Sequence, residues 1–156
     1  MKPIEARPQT AKRVGEFSEA AFLLKAGSLG FGLAKPWGDS ERYDFILDSR
    51  PRLWRVQLKC SATAHDGGYG VQATHASCGG RKMAYTADDI DVLVVYILPR
   101  DTWYVLPFEV FAPRRYLGFY PNCGSRRAIW EKYREAWQLL RTSSSQTASD
   151  ATDSTL

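Results

Sequence analysis

The chain has 156 residues, a formal net charge of +4, and hydrophobic and aromatic shares of 44% and 13%. These values are typical of one folded domain and exclude a largely disordered chain. No apolar run approaches the ~20 residues of a membrane span, and the start "MKPIEARPQT" lacks the hydrophobic region of a secretory signal, so we expect a soluble, cytoplasmic protein.

The charge and the cysteines narrow the class further. The Ser/Thr-rich residues 142–156 predict a disordered tail that contains acidic and no basic residues, so the domain in residues 1–141 is more basic than the whole chain. A basic domain favours an anionic partner, above all nucleic acid, although a basic protein without a polyanion partner is equally compatible. The three cysteines, Cys60, Cys78 and Cys123, form no disulfide framework and agree with a reducing compartment.

The first predicted element is a helix over residues 10–26. Thr10 is a suitable N-cap residue, and Gly27 favours termination of the helix there. Apolar side chains at helical spacing predict the buried face: Val14, Phe17, Ala21 and Leu24.

Strands dominate the middle of the chain. A short strand is expected near residues 31–35, then the pair "RYDFILD" and "RLWRVQLKC", a strand near 69–75, and the pair "DVLVVYIL" and "TWYVLP". The segment "RRAIWEKYREAWQLL" predicts a closing amphipathic helix, with packing as the expected role of its aromatic stripe: Trp130, Tyr133, Trp137 and Leu140. The order of elements predicts an α/β (α+β) fold, a mixed β-sheet flanked by helices.

One predicted hairpin brings three polar side chains to one surface. If the turn is centred between Arg50 and Pro51, Asp44 lies opposite Gln57, and opposed side chains on one face have Cβ atoms about 5 Å apart. Lys59 lies on the same face because it follows Gln57 by two residues. A carboxylate oxygen beside an amide oxygen is the kind of hard ligand set that Mg²⁺ accepts, and the ammonium is suited to holding a water or a phosphate oxygen.

The first helix contributes a third oxygen ligand to this hypothesis. Counting about 100° per residue from Val14, Glu16 borders the predicted buried face, whereas Glu19 points nearly away from it. Glu16 is therefore expected to lean over the sheet. Without the hairpin beside it, Glu16 would be interpreted as an ordinary solvated helix charge.

These segments carry a family resemblance. The chain resembles the PD-(D/E)XK nuclease superfamily, most closely its branch with archaeal Holliday-junction resolvases and a bacterial group I intron homing endonuclease, in which glutamine can replace the usual acid. The resemblance covers about residues 11–141 and includes later segments of that small bacterial family. It lies in "VGEFSEAAFLLKAG", "GDSERYDFILD", "RVQLKC", "YTADDIDVLVVYILPRDTWYVLP" and "EKYREAWQLL".

The resemblance implies a restriction-endonuclease-like core and metal-dependent hydrolysis of DNA with Mg²⁺ or Mn²⁺. It implies that Asp44 and Gln57 bind the metal, that Glu16 assists, and that Lys59 orients the attacking water or stabilises the transition state. Gln57 departs from the superfamily's usual acid and makes the site one negative charge poorer. Because cleavage of both strands needs two sites or reorientation of one, we expect a homodimer or homotetramer, with "VLVVYIL" or the aromatic final helix as contact surface.

A second basic group is the candidate DNA-contacting segment. Arginines neutralise phosphates while aromatic rings pack or stack, and solvated arginines over a small aromatic core is the alternative. The segment "APRRYLGFYPNCGSRR" contains Arg114, Arg115, Arg126 and Arg127, with Tyr116, Phe119 and Tyr120 between them.

Other interpretations stay open at this point. The chain can be a non-catalytic DNA-binding module that keeps a nuclease fold, although the complete set of Glu16, Asp44, Gln57 and Lys59 argues against a decayed site. It can also be a structure-selective nuclease that resolves branched junctions. Four possible zinc ligands match no familiar zinc-binding spacing: Cys60, His65, His75 and Cys78.

Overall fold

The computed structural model of the protein describes residues 10–124 and 126–142. Within these residues two α-helices, nine strands and three short 3₁₀ turns alternate. In chain order they are α1 (Ala11–Ser28), β1 (Gly32–Ala34), β2 (Phe45–Asp48), β3 (Leu53–Ser61), β4 (Tyr69–Gln72), β5 (Thr74–Ala76), β6 (Lys82–Ala84), β7 (Val92–Ile97), a 3₁₀ turn (Leu98–Arg100), β8 (Thr102–Pro107), α2 (Phe108–Phe111), β9 (Tyr116–Phe119) and two further 3₁₀ turns (Glu131–Tyr133 and Trp137–Arg141).

A five-stranded mixed sheet forms the centre of the fold. Its order is β1-β2-β3-β7-β8, with β3 and β7 parallel and the other neighbours antiparallel. Alternate residues of β7 point to opposite faces, and every one of them is buried, so both faces of the sheet carry a hydrophobic core. The predicted α+β class with a mixed sheet is confirmed.

The β2–β3 hairpin has the predicted register. Phe45 pairs with Val56 and Ile46 with Arg55, as expected for a turn centred between Arg50 and Pro51. Arg50 in that turn has a φ of 76°, and its backbone N–H donates to the Asp48 carboxylate at 2.7 Å. Local turn chemistry therefore holds the hairpin in the register that brings the start of β2 against the middle of β3.

The first helix begins as predicted but buries a different face. The Thr10 hydroxyl accepts the backbone N–H of Arg13 at 3.2 Å and caps α1. The predicted face is wrong, because Phe17 and Leu24 are 44% and 76% exposed. The helix instead packs on the sheet through residues spaced four apart, with the small residues permitting close approach: Ser18, Phe22 and Ala26.

The predicted closing helix over residues 126–140 is also wrong. The segment passes around the outer edge of β8, where Arg134 forms a bridge with Tyr104 and Glu135 adopts a φ of 50°. Trp130 packs in the core on one face of the sheet, while Trp137 packs in the core on the other. A single straight helix cannot direct one apolar stripe to both faces, so short 3₁₀ turns replace it. The stripe still serves packing, as expected.

Two small two-stranded sheets cover the face of the main sheet opposite α1. The strand predicted near residues 69–75 is present as β4 and β5, separated by Ala73. β4 pairs with β9, and β5 pairs with β6, both antiparallel. The described residues contain no helix that is long and apolar enough to cross a membrane. Residues 143–156 of the predicted tail lie outside the described part of the chain.

Candidate active site

A cleft of about 670 Å³ lies between the first half of α1 and the second half of β3. β2 pairs with β3 only as far as Val56, so within the described residues the rest of β3 has no hydrogen-bonded strand on that side, and the cleft opens there. The cleft collects polar side chains from three elements. Ser18 and Glu19 of α1, Asp44 before β2, and Gln57 and Lys59 of β3 all line it.

Asp44 and Gln57 are in direct contact. One carboxylate oxygen of Asp44, Oδ2, accepts hydrogen bonds from Gln57 Nε2 at 2.6 Å and from the backbone N–H of Leu58 at 2.8 Å. Gln57 Nε2 also donates to the carbonyl of Leu58 at 3.1 Å, so both amide hydrogens are engaged. These hydrogen bonds use the Gln57 amide nitrogen and the Oδ2 atom of Asp44, and they involve neither the Gln57 amide oxygen nor the Oδ1 atom of Asp44.

The environment disfavours the charged form of Asp44. Burial raises the pKa of the Asp44 carboxyl, and the nearby charge of Glu19 raises it further. The Leu58 N–H and the cations of Lys59 and Lys35 oppose this shift without cancelling it. Burial therefore makes a negative charge on Asp44 less favourable here than in water.

Lys59 lies beside this pair but is bound to another element. Its ammonium donates to the carbonyl of Thr74 on β5 at 3.3 Å and lies 5.8 Å from the ring centroid of Tyr85. Burial lowers the pKa of Lys59, while the charge of Asp44 acts in the opposite direction. Sequence reasoning missed both Thr74 and Tyr85, because these contacts depend on β5 and the segment after β6 crossing over β3.

The helix carboxylate in the cleft is Glu19, and the expected position of Glu16 is wrong. Glu16 is exposed and does not line the cleft, whereas Glu19 is partly buried there and pairs with Lys35. The reason is the rotated helix face: the observed buried stripe is centred on Phe22, about 60° around the helix from Glu19 and about 120° from Glu16.

Arg55 shares a strand face with Gln57 and Lys59 but has a structural role. Its guanidinium and backbone N–H bind both carboxylate oxygens of Asp91 at 2.7 to 3.1 Å. Burial alone would raise the pKa of Asp91, but the hydrogen bonds and charge of Arg55, with help from Arg52, hold it below the usual range. Because Asp91 precedes β7, this ion pair fixes the start of the parallel β3–β7 pairing.

The structure also locates the other candidate residues. The possible zinc ligands do not meet, and the described residues contain no group of three or more His, Cys, Asp or Glu side chains arranged for a metal. The arginine segment surrounds β9, where Arg114 lies 5.5 Å from the ring centroid of Trp130 and Arg127 lies 4.5 Å from that of Tyr120. Of the interleaved aromatic residues, Phe119 is core and Tyr116 is exposed.

The donor set in the cleft still fits a hard divalent cation. Mg²⁺ is commonly bound by one or two carboxylates together with water, so a full cage of protein ligands is not required. Asp44 supplies a carboxylate oxygen, Gln57 an amide oxygen, and Glu19 a second carboxylate within the same cleft. The raised pKa of Asp44 agrees with a site that gains from an added positive charge.

A mixed sheet, a carboxylate at the start of one strand and a glutamine two residues before a lysine on the next define a restriction-endonuclease-like nuclease core. Comparison with known proteins gives the same class. The family model described as PD-(D/E)XK endonuclease matches residues 9–139, and the chain belongs to this family. The family supports nuclease activity acting on nucleic acid.

A solved structure shows the same fold. The bacterial homing endonuclease I-Ssp6803I is 27% identical in sequence and superimposes with a TM-score of 0.73, over 85% of this chain and 94% of that chain. No curated protein matches the sequence.

Proposed function

We propose that the protein is a metal-dependent DNA endonuclease that hydrolyses phosphodiester bonds. The observation that carries the proposal is the contact between Asp44 and Gln57, with Lys59 two residues further on and all three side chains opening into one cleft. Membership of the endonuclease family and the likeness to a homing endonuclease support the same activity.

The metal ligands we propose are Asp44 and the amide oxygen of Gln57, assisted by Glu19. When bound, Mg²⁺ or Mn²⁺ supplies Lewis-acid stabilisation of the negative charge that develops on the phosphate oxygens. The chain's own contribution is to hold these oxygens in place: the Leu58 N–H fixes one side of the Asp44 carboxylate, and Gln57 is fixed by its two donated hydrogen bonds. Both ligands are thereby oriented before DNA arrives.

Lys59 is the proposed cation for the reacting phosphate or the attacking water. Its neutral carbonyl partner on Thr74 is a weaker acceptor than a phosphate oxygen, so the ammonium can exchange one for the other without breaking an ion pair. Partial burial strengthens the interaction of its charge with a phosphate because less water screens it.

We infer that the protein acts in the cytoplasm as a homodimer or homotetramer, which supplies two sites for two strands. The three free thiols agree with a reducing compartment. The contact surfaces expected from the sequence are not available, because β7 is buried within the sheet and the aromatic stripe of the final segment, Trp130, Trp137 and Leu140, is packed in the core. The exposed apolar side chains of α1 are better placed for a contact: Phe17, Leu23 and Leu24.

Metal dependence provides the test of the proposed function. We expect purified protein to cut a pool of duplex DNA fragments with Mg²⁺ or Mn²⁺ and to leave it intact in EDTA, as read by sequencing the new ends. Parallel incubation with a four-way junction and with single-stranded DNA separates the substrate classes. Cleavage of the junction alone would replace the proposal with a junction-resolving nuclease. DNA binding without cleavage under any metal condition would identify a non-catalytic module.

Gln57 allows a sharper test of the metal site. An amide oxygen brings no formal charge, so we expect Gln57→Glu to cleave and to saturate at a lower metal concentration than the parent. Gln57→Leu, similar in size but without an oxygen, should lose most activity. Metal titrations of the cleavage rate for the three proteins measure both effects, and a leucine variant that matches the parent would remove Gln57 from the ligand set.

A further inference from the structure

The β4–β9 ribbon has two different faces. One face carries Tyr69, Val71, Leu117 and Phe119, all buried in the core beneath it. The other face, which we call the tyrosine face, consists of the alternate residues of the same two segments. Its members are Gly68, Gly70, Gln72, Tyr116, Gly118 and Tyr120.

The glycines of the tyrosine face make room for its tyrosines. A Cβ atom at Gly70 would lie closer than 3.0 Å to the Tyr116 hydroxyl, and one at Gly68 would lie closer than 3.0 Å to the Tyr120 ring. Neither glycine has a positive φ, so glycine is not needed here for its backbone conformation. What matters is that glycine has no side chain to clash with the tyrosines. The two tyrosines therefore lie against the backbone of the neighbouring segment.

Packing of the core does not explain this arrangement. Tyr116 remains 59% exposed, although Gly70 of β4 leaves room for it and Gly68, just before β4, leaves room for Tyr120. A glycine within a strand costs stability relative to a residue with a side chain. The ribbon thus presents aromatic surface and a hydroxyl group to solvent in a fixed orientation.

The charge around the tyrosine face indicates the partner. The sequence from Val110 to Trp130 contains four arginines and no acidic residue. The guanidinium of Arg127 lies 4.5 Å from the ring centroid of Tyr120, and the backbone carbonyl of Arg115 pairs with Ala73 at the end of β4. An exposed aromatic surface with arginines at its edge is complementary to a polyanion with sugar and phosphate groups.

The ribbon is connected directly to the candidate active site. β4 continues through Ala73 into β5, and the Thr74 carbonyl at the start of β5 accepts the Lys59 ammonium. At about 3.3 Å per strand residue, Gly70 lies roughly 13 Å along this segment from Thr74, which corresponds to about four base pairs of duplex DNA. The separation between the tyrosine face and Lys59 is therefore short enough for one duplex to span.

We propose that the tyrosine face binds the sugar–phosphate backbone of duplex DNA that flanks the cleavage position, with Tyr116 and Tyr120 seated on Gly70 and Gly68 for this purpose. This inference rests on the proposed function, because it assumes that DNA is the substrate. Contacts of this kind position the duplex and carry little sequence information.

The test compares two glycine variants by fluorescence anisotropy with a labelled 40-base-pair random-sequence duplex in EDTA. Gly70→Ala displaces Tyr116 and should weaken binding by about tenfold, equivalent to about 1.4 kcal/mol. Gly79→Ala is the matched control, because a Cβ there meets nothing within 4 Å and Gly79 has no positive φ, and its affinity should equal that of the parent. Thermal unfolding identifies a Gly70 variant that fails to fold.

Two tyrosine variants keep the test decisive if that happens. Tyr116→Ala should weaken duplex binding to a similar extent, whereas Tyr116→Phe, which keeps the ring, should retain most of the affinity. A parent that cuts DNA while Gly70→Ala and Tyr116→Ala bind as it does would overturn this inference alone. A parent that neither binds nor cuts DNA would overturn the proposed function with it, and variants impaired only toward single-stranded DNA would contradict the assignment to duplex.

Discussion

Asp44→Asn and Lys59→Met should each lower the rate of DNA cleavage on the order of 100- to 1,000-fold, the loss typical of removing one charge-stabilising group from an active site. We expect these variants to lose cleavage activity while keeping the fold. Asparagine keeps an oxygen that accepts the Leu58 N–H, so the hydrogen bond that fixes the start of β2 is preserved. Methionine fills the same space as the lysine side chain.

Measurements of the melting temperature distinguish a loss of catalysis from a loss of folding. Because burial raises the pKa of Asp44, its ionised form is less favourable in the folded protein than in the unfolded chain, and a neutral asparagine should not lower the melting temperature. Asp48→Asn at the other end of β2 is the matched control, since it also removes one carboxylate charge and keeps an acceptor for the Arg50 N–H. Either site variant retaining the parent's cleavage rate would exclude that residue from catalysis.

The part of the site that the sequence predicts is the part set by local chemistry. A short turn fixes the β2–β3 register, and strand alternation then places Gln57 and Lys59 on one face, so Asp44 could be placed opposite Gln57 without a structure. The same alternation places Arg55 on that face but cannot reveal its role. Asp91, its partner, directly precedes β7, a strand that reaches β3 only through a long crossover.

The rotation of α1 was not predictable from apolar spacing, because the helix carries two competing stripes. One stripe is larger and more apolar, and it includes the exposed Phe17 and Leu24. The other stripe contains Ser18, Phe22 and Ala26. The small side chains of Ser18 and Ala26, on either side of Phe22, allow the helix to lie close to the sheet. Small residues four apart around one aromatic were the available signal, and a pattern that scores only hydrophobicity gives them little weight.

The final segment shows a second limit of periodicity. Trp130 and Trp137 are spaced as in an amphipathic helix and are buried, but they are buried on opposite faces of the sheet. Spacing predicts that both residues are buried, but it cannot specify which face of the sheet each one packs against. Covering the free edge of β8 requires the chain to cross from one face to the other, and this requirement overrides helix propensity.

The observed buried face of α1 places Glu19, and not Glu16, at the cleft, and this leads to a prediction about the two glutamates. Glu19→Gln should lower the cleavage rate at limiting metal by about tenfold and raise the metal concentration needed for half-maximal cleavage, as expected when a group that supports a metal site is neutralised. Glu19 lines the cleft, and its charge adds to burial in raising the pKa of the Asp44 carboxyl. Metal titrations of cleavage on the duplex that the parent cuts measure both quantities.

Glu16→Gln is the matched control, since it makes the same chemical change three residues earlier on an exposed position outside the cleft. Its cleavage rate and metal midpoint should equal those of the parent. Glu19 also pairs with Lys35, so loss of that ion pair is a second possible cause of an effect. Lys35→Met separates the two causes: it breaks the same pair but leaves the Glu19 carboxylate, so it should preserve cleavage. A Glu16 variant impaired like Glu19→Gln would show that α1 turns its other carboxylate toward the metal when DNA is bound.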